Sequence, residues 1–352
     1  MRDRLFILSQ YLLPHHLLSR LAGGLANCTW DWVKNPFINW FVKRYQVDMS
    51  QAVEQDPMAY PCFNDFFTRA LLPDARPLDT DPRSILCPAD GAISQLGSIE
   101  HGRVFQAKGQ SFSVLELLGG NQQHASLFQG GQFATVYLSP RDYHRVHMPL
   151  SGTLREMIHV PGKLFSVNQL TAGNVPELFA RNERVVCLFD TEAGPMAVVL
   201  VGAMIVASIE TAWAGLVAPP TRQVRSQEYG TSAPQLERGA EMGRFKLGST
   251  AIVLFGPGHA QWDEKLLAGS LVRMGQKLGE RLDPRRHPLQ PPHPGVAQAR
   301  YTPSKNSALP PGVVKLPLDD SDQQSLHPQA TKNPGTGSGS TASHTGVLTD
   351  VR

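Results

Sequence analysis

The chain has 352 residues, with 33 Lys+Arg against 30 Asp+Glu and a formal net charge of +3. The excess sits at the ends: residues 1–50 carry +3, residues 284–352 carry +3, and 51–283 carry −3. No stretch of the folded part has the Lys/Arg density that phosphate-backbone binding needs, so nucleic acid is excluded as a main partner. The length allows one large domain or two ordinary ones. Cys28, Cys62, Cys87 and Cys187 form no CxxC. A structural zinc or disulfide framework is therefore not expected, and reduced thiols in a cytosolic setting are.

The first 50 residues hold 8 of the 27 aromatics. Leu5, Leu8 and Leu12 fall on one helical face, and Leu17, Leu18, Leu21 and Leu25 continue the pattern after Pro14. Asn35-Pro36 reads as a helix start, a capping side chain followed by proline at the first helical position. Phe37, Trp40, Phe41 and Tyr45 then share a face beside Lys43 and Arg44. Such a face suits either packing on the protein's own core or lying in a membrane interface. A secretory signal is not expected, because the apolar run 5–8 is short and Asp3 precedes it.

The middle of the chain consists of short β-type runs broken by Gly, Pro and Asn: 133–139, 184–190, 196–209 and 249–255. The fold class expected is α+β, a β-rich core of packed antiparallel or mixed sheets with amphipathic N-terminal helices. Residues 193–209 carry no charge and approach membrane-spanning length. Gly202 interrupts them, however, and Val198, Val199, Val201, Ile205 and Val206 favour strand, so two buried strands are expected. The last 69 residues hold 11 of the 28 prolines and one aromatic, Tyr301, too little apolar surface to offset ordering; 286–352 reads as a disordered tail.

Three segments can carry chemistry. SPRDYHRVHMP (139–149) sets His144 and His147 three apart beside Asp142. HxxH could ligate a metal from one helical face, but no third ligand follows, so no metal is expected; histidine is also the usual general acid or base near neutral pH. CPADGAISQLG (87–97) puts Asp90 before Gly91, either a plain turn or a carboxylate that orients a histidine. KLGSTAIVLF (246–255) opens a strand-like run at Ser249 and is not the GxSxG elbow. Asp90, a histidine of 144–147 and Ser249 are the parts of a triad scattered in sequence. They suggest an activated serine whose target is either a substrate or the chain itself.

These residues carry a resemblance. LGST (247–250), SPRDYHRVHMP, ADG (89–91) and YPCFNDFFTRALLPDARPLD (60–79) resemble bacterial pyruvoyl-dependent phosphatidylserine decarboxylase proenzymes. So do PGKLFSVN (161–168), ARNERVVCLFDTEAGPMA (180–197) and the segment 207–215. The similarity runs in order over about residues 1–280 and leaves the tail uncovered.

The resemblance implies a zymogen that cuts itself between Gly248 and Ser249. Ser249 attacks the Gly248 carbonyl to give an ester, with His147 as general base and Asp90 orienting it. Elimination then frees the Gly248 carboxylate and leaves dehydroalanine at 249, which tautomerises and is hydrolysed with loss of ammonia to a covalent pyruvoyl group, the only cofactor implied. That group forms a Schiff base with the amine of phosphatidylserine and accepts the electrons released with CO₂, giving phosphatidylethanolamine. His144 is implied as the acid that returns a proton, and Asp142 as support for either histidine. Phe63, Phe66, Phe67 and Arg69 belong to a signature without an assigned chemical role, as do Ser166 and Glu210.

The implied organisation is 1–56 as membrane-docking helices, 57–285 as the catalytic domain and 286–352 as the tail. The products are a β chain (1–248) and an α chain (249–352), paired as a heterodimer, with a dimer of heterodimers as the larger assembly the resemblance implies. The implied location is peripheral, on the cytoplasmic side of the cell inner membrane. A Ser-His-Asp lipid esterase with an intact chain is the competing reading.

Overall fold

The computed structural model describes residues 2–204, 208–217, 223–246, 249–282 and 314–315. Three helices open the chain: α1 (Arg2–Leu12), α2 (His15–Ala26) and α3 (Asp31–Tyr45). Pro14 separates the first two, as its missing N–H and fixed φ require. The start of α3 corrects the sequence expectation. The helix begins at Asp31, and Pro36 lies inside it. Both Val33 and Lys34 donate to the Trp30 carbonyl, so the first turn closes before the proline is reached. Pro36 then costs only the bond that its N–H would have made to Trp32, an exposed residue.

A short helix, α4 (Phe63–Phe67), packs on α3. Ala26, Ile38, Phe41, Tyr60, Phe63, Phe66 and Phe67 form one buried cluster. Phe63 stacks on Phe37 at 4.3 Å and meets Phe41 edge-on at 4.9 Å. A boundary drawn at residue 56 therefore falls inside a single packed unit.

The rest is β-rich. In chain order the strands are β1 (Ser84–Leu86), β2 (Gly91–Ser98), β3 (Arg103–Ala107), β4 (Gln110–Ser113), β5 (Gln132–Leu138), β6 (Arg145–His147) and β7 (Gly152–Val160). They continue as β8 (Arg184–Thr191), β9 (Gly194–Gly202), β10 (Ser208–Thr211), β11 (Gly215–Leu216), β12 (Arg225–Glu228) and β13 (Gln235–Leu236). The last are β14 (Glu241–Lys246), β15 (Ser249–Phe255), β16 (Ala260–Trp262), β17 (Leu271–Val272), β18 (Lys277–Arg281) and β19 (Val314–Lys315). Short helices α5 (Val114–Leu117), α6 (Gln122–Ser126), α7 (Gln169–Ala172) and α8 (Leu178–Arg181) lie between strands.

Among the described residues the main sheet runs β17-β2-β5-β15-β9-β8-β7-β12-β19, with β13 also on β7. A second sheet, β11-β10-β14-β6, packs on one face of it, burying Val146, Ile209, Met242 and Phe245 against Ala251, Val253 and Phe255. On the other face Ile252, Leu254, Val199 and Val201 meet Phe112, Phe165 and Phe179. Because β9 and β15 are covered on both faces, every position of β9 and every position of β15 from Ala251 onward is apolar, and the alternation vanishes. This accounts for the uncharged run 193–209, whose ends form β9 and β10; residues 205–207 lie outside the described residues. No described helix is long and apolar enough to cross a membrane. Of the tail, only β19 is described, pairing parallel to β12.

Candidate active site

Three chain segments meet at one end of the main sheet. β2 and β15 both run antiparallel to β5, so the starts of β2 and β15 lie beside its end. Ser249 opens β15 opposite Leu138 of β5 and Gly202 of β9. Asp90 immediately precedes β2. Gly91 makes that approach possible: at φ +154° a Cβ would sit 2.1 Å from the Tyr137 carbonyl oxygen. The chain leaves β5 at Leu138 and runs straight into 139–147, which carries both histidines.

The 139–147 segment is a turn followed by a strand, so the two imidazoles do not share a helical face. Asp142 accepts from the N–H and the hydroxyl of Ser139, both at 2.7 Å, and closes the turn. β6 is then anchored on both sides. His147 N–H donates to the Pro88 carbonyl, and Phe245 N–H donates to the His144 carbonyl. The Arg145 side chain donates to the Thr68 carbonyl at 2.9 Å and to Glu241 at 2.8 Å.

The His147 ring is fixed at both nitrogens. Nδ1 lies 2.8 Å from the Gly239 carbonyl, which can only accept, so Nδ1 carries the proton and Nε2 the lone pair. Nε2 meets the Tyr143 hydroxyl at 3.1 Å, where the hydroxyl donates. Gly239 takes φ +82°, and a Cβ there would meet Leu78 at 2.5 Å. Burial pulls His147 below its ordinary pKa; the Gly239 contact, Glu241 and Asp90 oppose the fall. Burial pushes the Tyr143 hydroxyl up to about 12, so it stays protonated. The result is a neutral imidazole with its basic nitrogen defined.

Asp90 is held differently from the sequence expectation. Its carboxylate accepts side-on from Arg76, with Nε at 2.9 Å from Oδ1, and from the Met274 N–H at 2.9 Å. Arg76 also donates to Gln51 Oε1 and the Ala75 carbonyl. In this structure, then, Gly239 takes the histidine N–H that the resemblance assigns to Asp90, and Asp90 acts on His147 through space.

His144 has opposite surroundings. It is fully buried, stacked on Phe67 with ring centroids 3.9 Å apart and planes 17° from parallel. Among the described residues neither ring nitrogen makes a hydrogen bond of good geometry, although the Ser139 and Pro140 carbonyls lie near enough to oppose the fall of its pKa. Burial, then the nearby Arg69 charge, pulls its pKa down to about 3. Phe67 thus gains a role: the signature that packs α4 on α3 also sets the histidine's ring plane. Glu210 pairs with Lys246, the last described residue before Ser249. The Ser166 N–H donates to Gln10 at 2.9 Å and ties α1 to the domain.

Sequence reasoning missed Arg76, Tyr143 and Gly239. Tyr143 adjoins His144, and Arg76 lies within the quoted 60–79 motif, so both were in view. Gly239 acts only through its backbone, 92 residues from its partner.

A β-rich core thus brings a neutral imidazole, a carboxylate and a serine-led strand to one sheet end. The comparisons give its family. The model described as phosphatidylserine decarboxylase matches residues 63–280, and one described as PSD matches 5–46. A phosphatidylserine decarboxylase proenzyme of Pseudomonas putida (strain W619) is 72% identical over 281 residues, 79% of this chain and 98% of the relative. The proteins of that name from Pseudomonas fluorescens (strain Pf0-1) and Ectopseudomonas mendocina (strain ymp) are 70% and 71% identical over 283 and 282 residues. These cover 80% and 79% of this chain, and 99% of each relative. The chain belongs to the phosphatidylserine decarboxylase family, lyases made as proenzymes. The intact-chain esterase reading is not supported.

Proposed function

We propose that this proenzyme cuts itself between Gly248 and Ser249 and that the new α chain, beginning at residue 249, decarboxylates phosphatidylserine to phosphatidylethanolamine. Ser249 is the nucleophile. His147 Nε2 takes the hydroxyl proton and passes it to the departing Ser249 nitrogen, while Asp90 stabilises the imidazolium that forms in between. The observation that carries this reading is the convergence of the Ser249 strand, Asp90 and the tautomer-fixed His147 at one sheet end.

The cut is compatible with an intact fold. β15 is central: all seven residues pair with β5 on one side and β9 on the other. Both faces are buried. A chain starting at Ser249 would stay held by two neighbouring strands and two cores, which supports a non-covalent β/α heterodimer. The described residues also fit a pyruvoyl group derived from Ser249. Thr250 Oγ1, beside Ser249, is buried without a partner among the described residues, a polar atom left for a ligand. That group supplies an electron sink for the decarboxylation. His144 then delivers or holds a proton at the substrate carbon, and Phe67 orients its ring.

The N-terminal helices dock the enzyme on the membrane. α2 is inside out: it buries His15, Ser19, Gly23 and Ala26 and exposes Leu17, Leu21 and Leu25. Trp30, Trp32 and Trp40 extend the same exposure, with Trp32 at 74%. Polar contacts hold the inner side, His16 to the Gly162 carbonyl at 3.0 Å and Gln10 to Ser166. An outward leucine and tryptophan face beside Lys43 and Arg44 suits an interface carrying anionic phosphatidylserine, and fits a peripheral enzyme on the cytoplasmic side of the inner membrane.

Mass spectrometry of the purified protein tests the reading. Two chains, the smaller blocked by a pyruvoyl group at 249, are expected; a single uncut chain in an active preparation overturns it. The two chains should co-purify under native conditions and part only on denaturation.

A further inference from the structure

Among the described residues Arg69 is a buried cation without an ion pair. It is 4% exposed, and its one described hydrogen bond runs from Nη2 to the Arg141 carbonyl at 3.1 Å. Nε is buried and unpartnered. The guanidinium lies over the Phe66 ring at 5.8 Å. The acidic groups that face it are occupied elsewhere. Asp90 is taken by Arg76, Asp142 by Ser139, Asp48 by the Ser50 N–H, and the Tyr60 hydroxyl donates to the Glu54 carbonyl. Near it the two His144 ring nitrogens make no hydrogen bond of good geometry among the described residues. A desolvated guanidinium is costly unless an anion meets it. Two adjacent buried side chains left open in this way describe a site shaped for a ligand that brings the missing acceptor.

We propose that Arg69 is the anion subsite for the phosphodiester of the lipid headgroup, set beside His144 beneath α4. The proposal rests on the decarboxylase reading above and goes beyond it in naming the recognised group. Chemistry selects among the charges of the substrate. The amine is consumed in bonding to the enzyme. The carboxylate must lose its charge as CO₂ departs, and an arginine paired with it would hold the ground state back. The phosphodiester keeps its charge throughout, so it can be gripped from binding to release. A guanidinium matches phosphate oxygens in charge and geometry. The placement agrees: Arg69 lies two residues beyond Phe67, its guanidinium over the ring of Phe66, a residue packed in the cluster that holds α3.

The test is equilibrium binding of dihexanoylphosphatidylethanolamine, below its aggregation concentration, to the purified full-length protein and to Arg69→Gln and Arg69→Lys. This lipid has the phosphodiester and no carboxylate. Dihexanoylglycerol, with the same acyl chains and no phosphate, is the control. Arg69→Gln should weaken the phospholipid by about ten-fold or more relative to the control, and Arg69→Lys by less. An unchanged ratio overturns the proposal, as does equal loss of both ligands. Should both variants fail to fold, Arg69 is a structural residue and the proposal falls. Self-cleavage is read on the same preparations. A wild-type chain that binds the phospholipid through Arg69 yet stays uncut would sink the functional reading and leave this one standing.

Discussion

His144 and His147 stand three residues apart on one segment, yet their surroundings are opposites. His147 is hydrogen-bonded at both nitrogens, its tautomer set by the Gly239 carbonyl. His144 is bonded at neither and is held by the face of Phe67. The switch into β6 at Arg145 separates the two. A base used once, on a fixed bond of the chain itself, profits from a pre-set hydrogen-bond network. A group that must serve an incoming substrate profits from nitrogens kept open and a ring plane fixed by stacking. The difference fits the proposed division of the two steps between two residues.

The largest effect should come from breaking the bonded histidine. His147→Ala should slow self-cleavage by 10²- to 10⁴-fold, the usual worth of a general base, read as the uncut fraction on a denaturing gel over time. His144→Ala should be cut at the wild-type rate and lose about 10²-fold or more in CO₂ release. If that chain stays uncut, the division between the two histidines collapses.

A smaller effect concerns acid stability. In the unfolded chain His144 takes a proton near pH 6.5, and in the folded chain only near pH 3. Between those values the unfolded state binds more protons, so stability falls as pH drops below 6.5, by about 1.4 kcal/mol per unit for this group. Between pH 6.5 and 5 that is roughly 2 kcal/mol. Denaturant titrations of the uncut Ser249→Ala chain, with and without His144→Gln, should differ by that much in their change with pH. Identical pH dependence would show that His144 is not held neutral by burial.

Much of this molecule was legible because of how it is covered. β9 and β15 are buried on both faces, so their continuous apolar runs announce central strands, and Pro14 announces a break. The start of α3 was misread because Asn35-Pro36 imitates a cap while the turn that nucleates the helix closes earlier, at Trp30. At the site, residue types were readable and partnerships were not. Nothing local in Asp90-Gly91 says that Arg76 will take the carboxylate, and a backbone carbonyl such as that of Gly239 leaves no chemical signature in sequence. The leucines of α2 were readable as a stripe, but not which way the stripe faces, since that depends on His15 finding burial against Phe165.

The finest test of the contrast lies on Tyr143. Its hydroxyl donates to the very nitrogen that must accept the serine proton, and this contact favours the neutral ring. Self-cleavage needs neutral His147, so its rate should fall on acidification through a midpoint below 6.5, the direction burial imposes. Tyr143→Phe removes the donor and raises the proton affinity of Nε2. The midpoint should move to higher pH by less than about one unit, since one hydrogen bond is worth about 1 kcal/mol. The pH profile of CO₂ release by the already cut enzyme should not move, because His144 makes no contact with that hydroxyl. A shift in both profiles would mean that the two histidines titrate as one system, and the separation drawn between them would have to be given up.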